Sequence, residues 1–424
     1  MKMIGWLKLN ETQRKATIDE AEQVSGISAK AIEKDWWVTL TLMALFQSEL
    51  AQYMVFKGGT SLSKGWNLIA RFSEDIDIAL SPEAFGMEYI ENPTKSYVDR
   101  LKKKGCEFTS TAVLAQLQNE FAKLEVPAGM LQIVAAPIPL KFPDTDPQTI
   151  YIKYPSMYER SSYIDDEVKI EVSVRSLRTP FTKVSIRSLL TEFNPNPVYE
   201  ETPFKVDAVE PRKTFLEKAF LLHEEFGKPD KGKIRTERMS RHLYDLITIS
   251  KTDVEKQALD DHDLYDYLIK HREWYSRISW VDYQSLHHET ISFVPPTEVL
   301  EIYKKDYQAM QEQMIYGESV DFELLIKFLQ ELQGRFHTKY LTEEAKMKVL
   351  ELNIGAEKLS KVILDARKKI KPDILNQDGT IATVPVTTIT DIYKLAGENN
   401  KSETFYVNFR IEKSIAVFIS VSDN

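Results

Sequence analysis

The chain has 424 residues, 43% hydrophobic and 28% charged, with a formal net charge of −9. That composition excludes disordered and fibrous classes, predicts roughly two to four domains, and argues against nonspecific coating of nucleic acid. Cys106, the only cysteine, excludes intramolecular disulfides and cysteine-based zinc sites. With no run of eighteen apolar residues and no signal-peptide core at Met1–Lys8, the cytoplasm is the expected compartment.

Residues 1–52 are expected to form a helical segment, with Glu11 to Leu50 helical and Trp36, Val38, Leu40, Leu42 and Leu45 among its apolar positions. Tyr53–Phe56 is expected to be a short strand ending at Gly58-Gly59. Two consecutive glycines permit positive φ and let a ligand approach the backbone. Thr60-Ser61 supplies hydroxyls at the expected N-cap of a helix from Ser61 to about Ile69, where free N–H groups favour an anion. Gly58, Gly59, Thr60 and Ser61 are therefore candidate phosphate ligands, and Lys64, Arg71 and Ser73 flank the same turn.

Glu74 to Leu80 alternates, with Ile76, Ile78 and Leu80 on one face and Asp75 and Asp77 on the other. Paired carboxylates on one strand face repel each other unless a cation neutralises them. Hard oxygen ligands of this kind suit Mg²⁺ or Mn²⁺ bridging to the phosphates of an NTP. An exposed edge strand with polar residues facing water is the plainer alternative. Val168–Val174 alternates in the same way, and its Glu171 is the candidate third metal ligand or general base; pairing with Lys169 or Arg175 is its alternative. Leu131–Leu140 and Ile150–Tyr154 are expected to be strands joined by the Pro143–Pro147 turn, and Pro195, Pro197 and Pro203 suggest an extended segment leaving a core that spans 53–210.

From 211 to 336 the pattern is helical, with Leu324, Leu325, Phe328, Leu329 and Leu332 forming one seam. Glu217 and Lys218 sit beside a buried seam, and Arg238, Arg241 and Asp245 share one helical face by spacing. From 228 to 241, six Lys/Arg face two Asp/Glu, which suits a triphosphate or an RNA backbone, or makes a solvated loop. His287-His288 lacks metal-ligand spacing. Residues 337–424 begin with a helix over Glu343–Ile370 and continue with strands over Thr380–Ile389 and Phe405–Val421, an accessory α+β unit whose thirteen basic and twelve acidic residues mark no nucleic-acid module.

The stretch FKGGTSLSKGWNLIARFSEDIDIAL resembles the AbiEii/AbiGii-type nucleotidyltransferase toxins, a branch of the DNA polymerase β-like nucleotidyltransferase superfamily. AIEKDWWVTLTLMALF, FLEKAFLLHEEF, RMSRHLYDL and KKDYQAMQEQMIYG are similar to further segments of that family, which places the resemblance over about Lys34 to Phe336. It implies an α+β fold: a polymerase β-like core with a mixed sheet, then a helical bundle and a small C-terminal α+β unit. It further implies catalytic roles for Asp75, Asp77, Glu171, Lys218 and Asp245, the last orienting or deprotonating the acceptor, phosphate contact by Arg241, and Mg²⁺-dependent transfer of NMP to a tRNA 3′ end or a protein hydroxyl, with a cognate antitoxin as partner and no membrane. His242 stands where many relatives carry an aspartate. A small-molecule nucleotidyltransferase of the drug-modifying kind and a nonenzymatic nucleotide-sensing scaffold are the rival expectations.

Overall fold

A computed structural model of the protein describes residues 4–139, 141–159, 164–339, 356–387, 404–412 and 415–422. The chain separates into two compact units: Met1–Phe215 with His271–Arg277 and Lys305–Val320, and Leu216–Lys270 with Ile278–Lys304 and Asp321–Asn424.

The first unit begins with helices α1 (Glu11–Ser25) and α2 (Ala29–Gln47). The helical stretch expected over Glu11–Leu50 is made of these two helices. Gly26 ends α1 at φ +71, and the Ser28 side chain restarts the chain by accepting from the Ala31 N–H, a stop and start written within four residues. Strands β1 (Met54–Lys57), β2 (Ile76–Leu80), β3 (Gln132–Ala135), β4 (Gln148–Lys153), β5 (Glu167–Ser173), β6 (Phe181–Ile186) and β7 (Phe204–Val209) form one sheet in the order β3-β4-β5-β2-β1-β7-β6. β2 pairs parallel with β5 and antiparallel with β1, and β1 pairs parallel with β7, so the sheet is mixed. The connecting helices are α3 (Gly58–Lys64), α4 (Lys95–Phe108), α5 (Leu114–Lys123) and α6 (Leu189–Phe193).

Burial explains the strand faces. Ile76, Ile78 and Leu80 of β2, Ile150 and Ile152 of β4, and Val168, Ile170 and Val172 of β5 are all buried. Nearly every side chain of α2, including Trp36 and Trp37, is buried as well. The extended segment expected to leave the core after Pro203 instead returns to it: Phe204, Val206 and Ala208 alternate inward beside β1.

Helix α7 (Pro211–Phe226) starts in the first unit and ends in the second, which also holds α8 (Ser240–Ser250), α9 (Asp253–Asp260), the first parts of α10 (His262–Tyr275) and α11 (Thr297–Gln313), α12 (Phe322–Thr338) and α13 (Ala356–Arg367). The α12 seam buries Phe322, Leu325, Leu329, Leu332 and Phe336, while Leu324 and Phe328 flank it half-buried. The C-terminal sheet has the order β10-β9-β8, from β8 (Ile381–Thr387), β9 (Thr404–Glu412) and β10 (Ile415–Ser422). One expected strand, Phe405–Val421, is therefore an antiparallel pair. The parts of the expected helix and strands at 343–355 and 388–389 lie outside the described residues. Among the described residues no helix is long and apolar enough to cross a membrane.

Candidate active site

β2 has three strands on either side of it, so its carboxylates are not carried on an edge strand. Asp77 stands opposite Lys57 of β1 on one side and Glu171 of β5 on the other. Residues opposite one another across a ladder share a sheet face. Asp75 lies just ahead of the strand, two residues from Asp77, and both are half-buried. The register therefore sets Glu171 directly beside Asp77, at right angles to the strands. Sequence alternation alone gives the face but not the neighbour.

The diglycine turn sits against this row. Gly58 has φ +79, and a Cβ built on it would fall 2.0 Å from Asp77 Oδ2. A Cβ on Gly59 would lie 2.8 Å from Arg71 Nη2 and 3.0 Å from Ser73 Oγ. Only residues without side chains let the turn and the acidic strand meet so closely. Thr60 Oγ1 lies 2.9 Å from Ser73 Oγ and donates to the Asp75 carbonyl at 2.5 Å, which straps α3 to the chain entering β2. Ser61 Oγ donates to the Gly58 carbonyl at 2.9 Å.

These contacts change the expected roles of several residues. α3 begins at Gly58 and has no side-chain cap, so the expected N-cap hydroxyls of Thr60 and Ser61 are internal straps, not a capping device. The helix also ends at Lys64, short of the expected Ile69. Lys64 Nζ is 2.5 Å from Asp35 Oδ1 in a buried pair, which turns it toward α2. Arg71 is buried, and its Nη1 donates to the Phe72 carbonyl at 3.1 Å. Of the seven turn residues singled out by sequence, Gly58, Gly59, Thr60, Arg71 and Ser73 are brought together around the entrance to β2.

Glu171 is ion-paired with Lys169 on its own strand. Burial pulls the Lys169 ammonium downward in pKa, yet its hydrogen bond to Glu171, the Glu171 charge and the Asp75 charge outweigh that and raise it. A cation thus already stands among the carboxylates. Pairing with Lys169 is the alternative that the sequence offers for Glu171, and it is the one observed; Lys57, opposite Asp77, is not singled out by the sequence, although strand alternation puts it on the same face. Among the described residues no three His, Cys, Asp or Glu are grouped so as to hold a metal ion. The expected triad of Asp75, Asp77 and Glu171 is therefore not gathered as one cluster, consistent with Glu171 being turned to Lys169.

In the second unit, Lys218 of α7 pairs with Asp245 of α8 at 2.8 Å, with side chains 8% and 0% exposed. Lys218 Nζ is also 3.4 Å from His242 Nδ1. A carboxylate expected to meet the acceptor is instead wholly buried behind a lysine. Arg241 lies half-buried on α8, whereas Arg238 has φ +56 in the turn before that helix, so it does not extend the helical face expected from its spacing.

The basic segment after α7 is pinned, not loose. The buried Glu225 carboxylate takes the Arg235 amide at 2.6 Å and Arg235 Nε at 2.8 Å, and pairs with Lys228. Burial alone would raise this carboxyl; the Arg235 amide and the Lys228 and Arg235 side chains outweigh it and hold it below the usual range. Its stabilising contribution is therefore full above the unfolded glutamate value of about 4.3, and is lost as pH falls through the lower folded value. Glu225→Gln is expected to lower stability by about 1.5–3 kcal/mol near neutrality, and to remove that part of the acid sensitivity. Urea melts at pH 7 and at pH 3 or below, with tryptic cleavage at 228–235, measure both effects.

No curated protein matches the chain. The model of a family described as "Nucleotidyl transferase AbiEii toxin, Type IV TA system" matches residues 41–328, from within α2 to within α12. The match takes in the diglycine turn, the three carboxylates, Lys218 and Asp245, and stops short of the C-terminal sheet. Covering more than half of the 424 residues, it shows that the chain belongs to the AbiEii family of nucleotidyl transferase toxins of type IV toxin–antitoxin systems.

Proposed function

We propose that this protein transfers an NMP from an NTP to the 3′ end of a tRNA, with a divalent cation, Mg²⁺ or Mn²⁺, held by Asp75 and Asp77. The observation that carries the reading is the contact of the diglycine turn with the acidic strand, where the Gly58 backbone lies against the Asp77 carboxylate. Phosphates wrapped by that turn would lie beside the carboxylates that hold the cation. The donor chemistry offered to a hard cation is two half-buried aspartates two residues apart, with Glu171 in register beside Asp77 but paired with Lys169. A bound cation would offset charge on the reacting phosphates.

The acceptor hydroxyl oxygen would attack the α-phosphorus, forming the new phosphodiester while the bond to the β-phosphate breaks and pyrophosphate leaves. Glu171, next to Asp77 in the sheet, would take the hydroxyl proton. Backbone N–H groups of Gly58 and Gly59 would hold the triphosphate, because the Thr60 and Ser61 hydroxyls already serve as internal straps. Within the second unit, Asp245 would hold Lys218 in place, and the family resemblance implies phosphate-contacting roles for Lys218 and Arg241. Such a reaction would act in the cytoplasm and stop translation by blocking aminoacylation, and the cognate antitoxin of the type IV system would relieve it.

Incubation with each α-labelled NTP, Mg²⁺, and either total tRNA or a small-molecule extract tests the reading. Label in tRNA supports it. Label confined to the small-molecule pool would instead establish a drug-modifying type of transferase. Growth arrest with no label in either pool would leave a nucleotide-sensing scaffold as the function.

A further inference from the structure

The amino-terminal half of α2 buries four charged side chains in a helix that is otherwise apolar. Each is paired with a different part of the first unit. Lys30 Nζ donates to Asp166 Oδ1 and to the Glu159 carbonyl, both at 2.7 Å. Glu33 accepts from Ser156 Oγ at 2.6 Å and from the Met157 amide at 2.9 Å. Lys34 Nζ lies 2.6 Å from Glu74 Oε2, with the two side chains 3% and 4% exposed. Asp35 takes Lys64 Nζ at 2.5 Å on one oxygen and the Leu189 amide at 2.7 Å on the other.

Buried ion pairs are a poor means of adding stability, since an apolar pair of similar volume often packs as well or better. They are a good means of fixing distance and direction. Two of these pairs end at the candidate active site. Glu74 is the residue immediately before Asp75, and Lys64 is the last residue of α3, the helix that opens with the diglycine. Lys34 and Asp35 are consecutive on one rigid helix. They therefore tie both halves of the site, acidic strand and phosphate turn, to a single rod, in addition to the direct strap from Thr60 to Asp75.

We infer that Lys34 and Asp35 are positioning residues for nucleotidyl transfer, setting through Glu74 and Lys64 where Asp75 stands relative to the diglycine turn. The inference rests on the reaction proposed above. Neither residue is asked to touch substrate. The pairs act before catalysis, by removing freedom from groups that must meet the cation and the triphosphate within a fraction of an ångström.

The test removes both charges of one pair at once, so that neither Lys34 nor Glu74 is left as a buried ion. In Lys34→Met/Glu74→Met, melting is expected to stay close to wild type. Label transfer should fall about a hundredfold in kcat with little change in the KM for NTP. Mn²⁺ affinity, read by calorimetry without substrate, should weaken about tenfold or more. A purely structural pair would shift melting and leave the other two unchanged. Should the double variant not fold, Glu74→Asp keeps the charge but shortens the tie, and the same fall in kcat and Mn²⁺ affinity is expected. Wild-type kcat and wild-type Mn²⁺ binding in a folded variant overturn the inference. If wild type transfers no label at all, the proposed reaction fails instead, and Mn²⁺ affinity alone still reports whether Lys34 positions Asp75.

Discussion

Gly58→Ala should silence label transfer almost as fully as Asp77→Asn, although alanine removes no functional group. The added methyl would stand 2.0 Å from Asp77 Oδ2, where no Cβ can remain, so either the turn or the carboxylate must move. Displacing a reacting group by about 1 Å is enough for a loss on the order of a hundredfold. Loss of the Asp77 charge itself is expected to reach about a thousandfold. Gly58 also has φ +79, a conformation that penalises any L side chain by about 1–2 kcal/mol. Gly26 separates these two effects. It has φ +71 with nothing within 4 Å of its added Cβ, so Gly26→Ala carries the same backbone strain without the clash. It should lower melting modestly and leave kcat at the wild-type value. Parallel melting curves and transfer rates for the three variants decide the matter: full activity in a folded Gly58→Ala protein would mean that turn and strand do not share a site.

Much of this site was written in local sequence. The diglycine turn, the strand that carries Asp77 and the strand that carries Glu171 each follow from rules that reach only a few residues, whereas Asp75 lies just ahead of the strand expected to carry it. The position of β2 in the middle of the sheet and the register of Asp77 with Glu171 were not legible, because pairing joins segments some ninety residues apart and leaves no local mark. Lys64 shows the same limit from the other side. Its spacing from the turn suggested a phosphate ligand, yet its partner Asp35 lies 29 residues back on a different helix. β7 failed for another reason. Phe204, Val206 and Ala208 alternate plainly, but the prolines around them read as a segment leaving the core. The break at Gly26 was fully readable, since Ser25-Gly26-Ile27-Ser28 holds both a stop and a cap, and was hidden only by the apolar pattern continuing on either side.

The second large effect belongs to Asp245, and its expected sign separates holding a lysine from meeting an acceptor. The carboxylate is fully buried and lies 2.8 Å from a lysine that is itself 8% exposed. Asp245→Ala would remove the Asp245 charge from beside the Lys218 ammonium in a low-dielectric interior. Breaking a buried pair from one side typically costs about 3–5 kcal/mol, so the variant should melt many degrees lower, and Lys218→Met, which strands the carboxylate, should be comparably damaged. Lys218→Met/Asp245→Leu removes both charges and fills a similar volume. It is expected to regain most of the lost stability, since the desolvation penalty disappears along with the attraction, while label transfer stays as low as in the singles because the charge proposed to serve the phosphates at Lys218 is absent. A carboxylate whose main work was to meet the acceptor would give another pattern: Asp245→Asn, which keeps shape and hydrogen-bonding capacity, would melt like wild type yet lose all turnover. For a lysine anchor, Asp245→Asn should instead lose stability and turnover together, each by less than Asp245→Ala. Thermal melts and single-turnover transfer on these four variants distinguish the two roles.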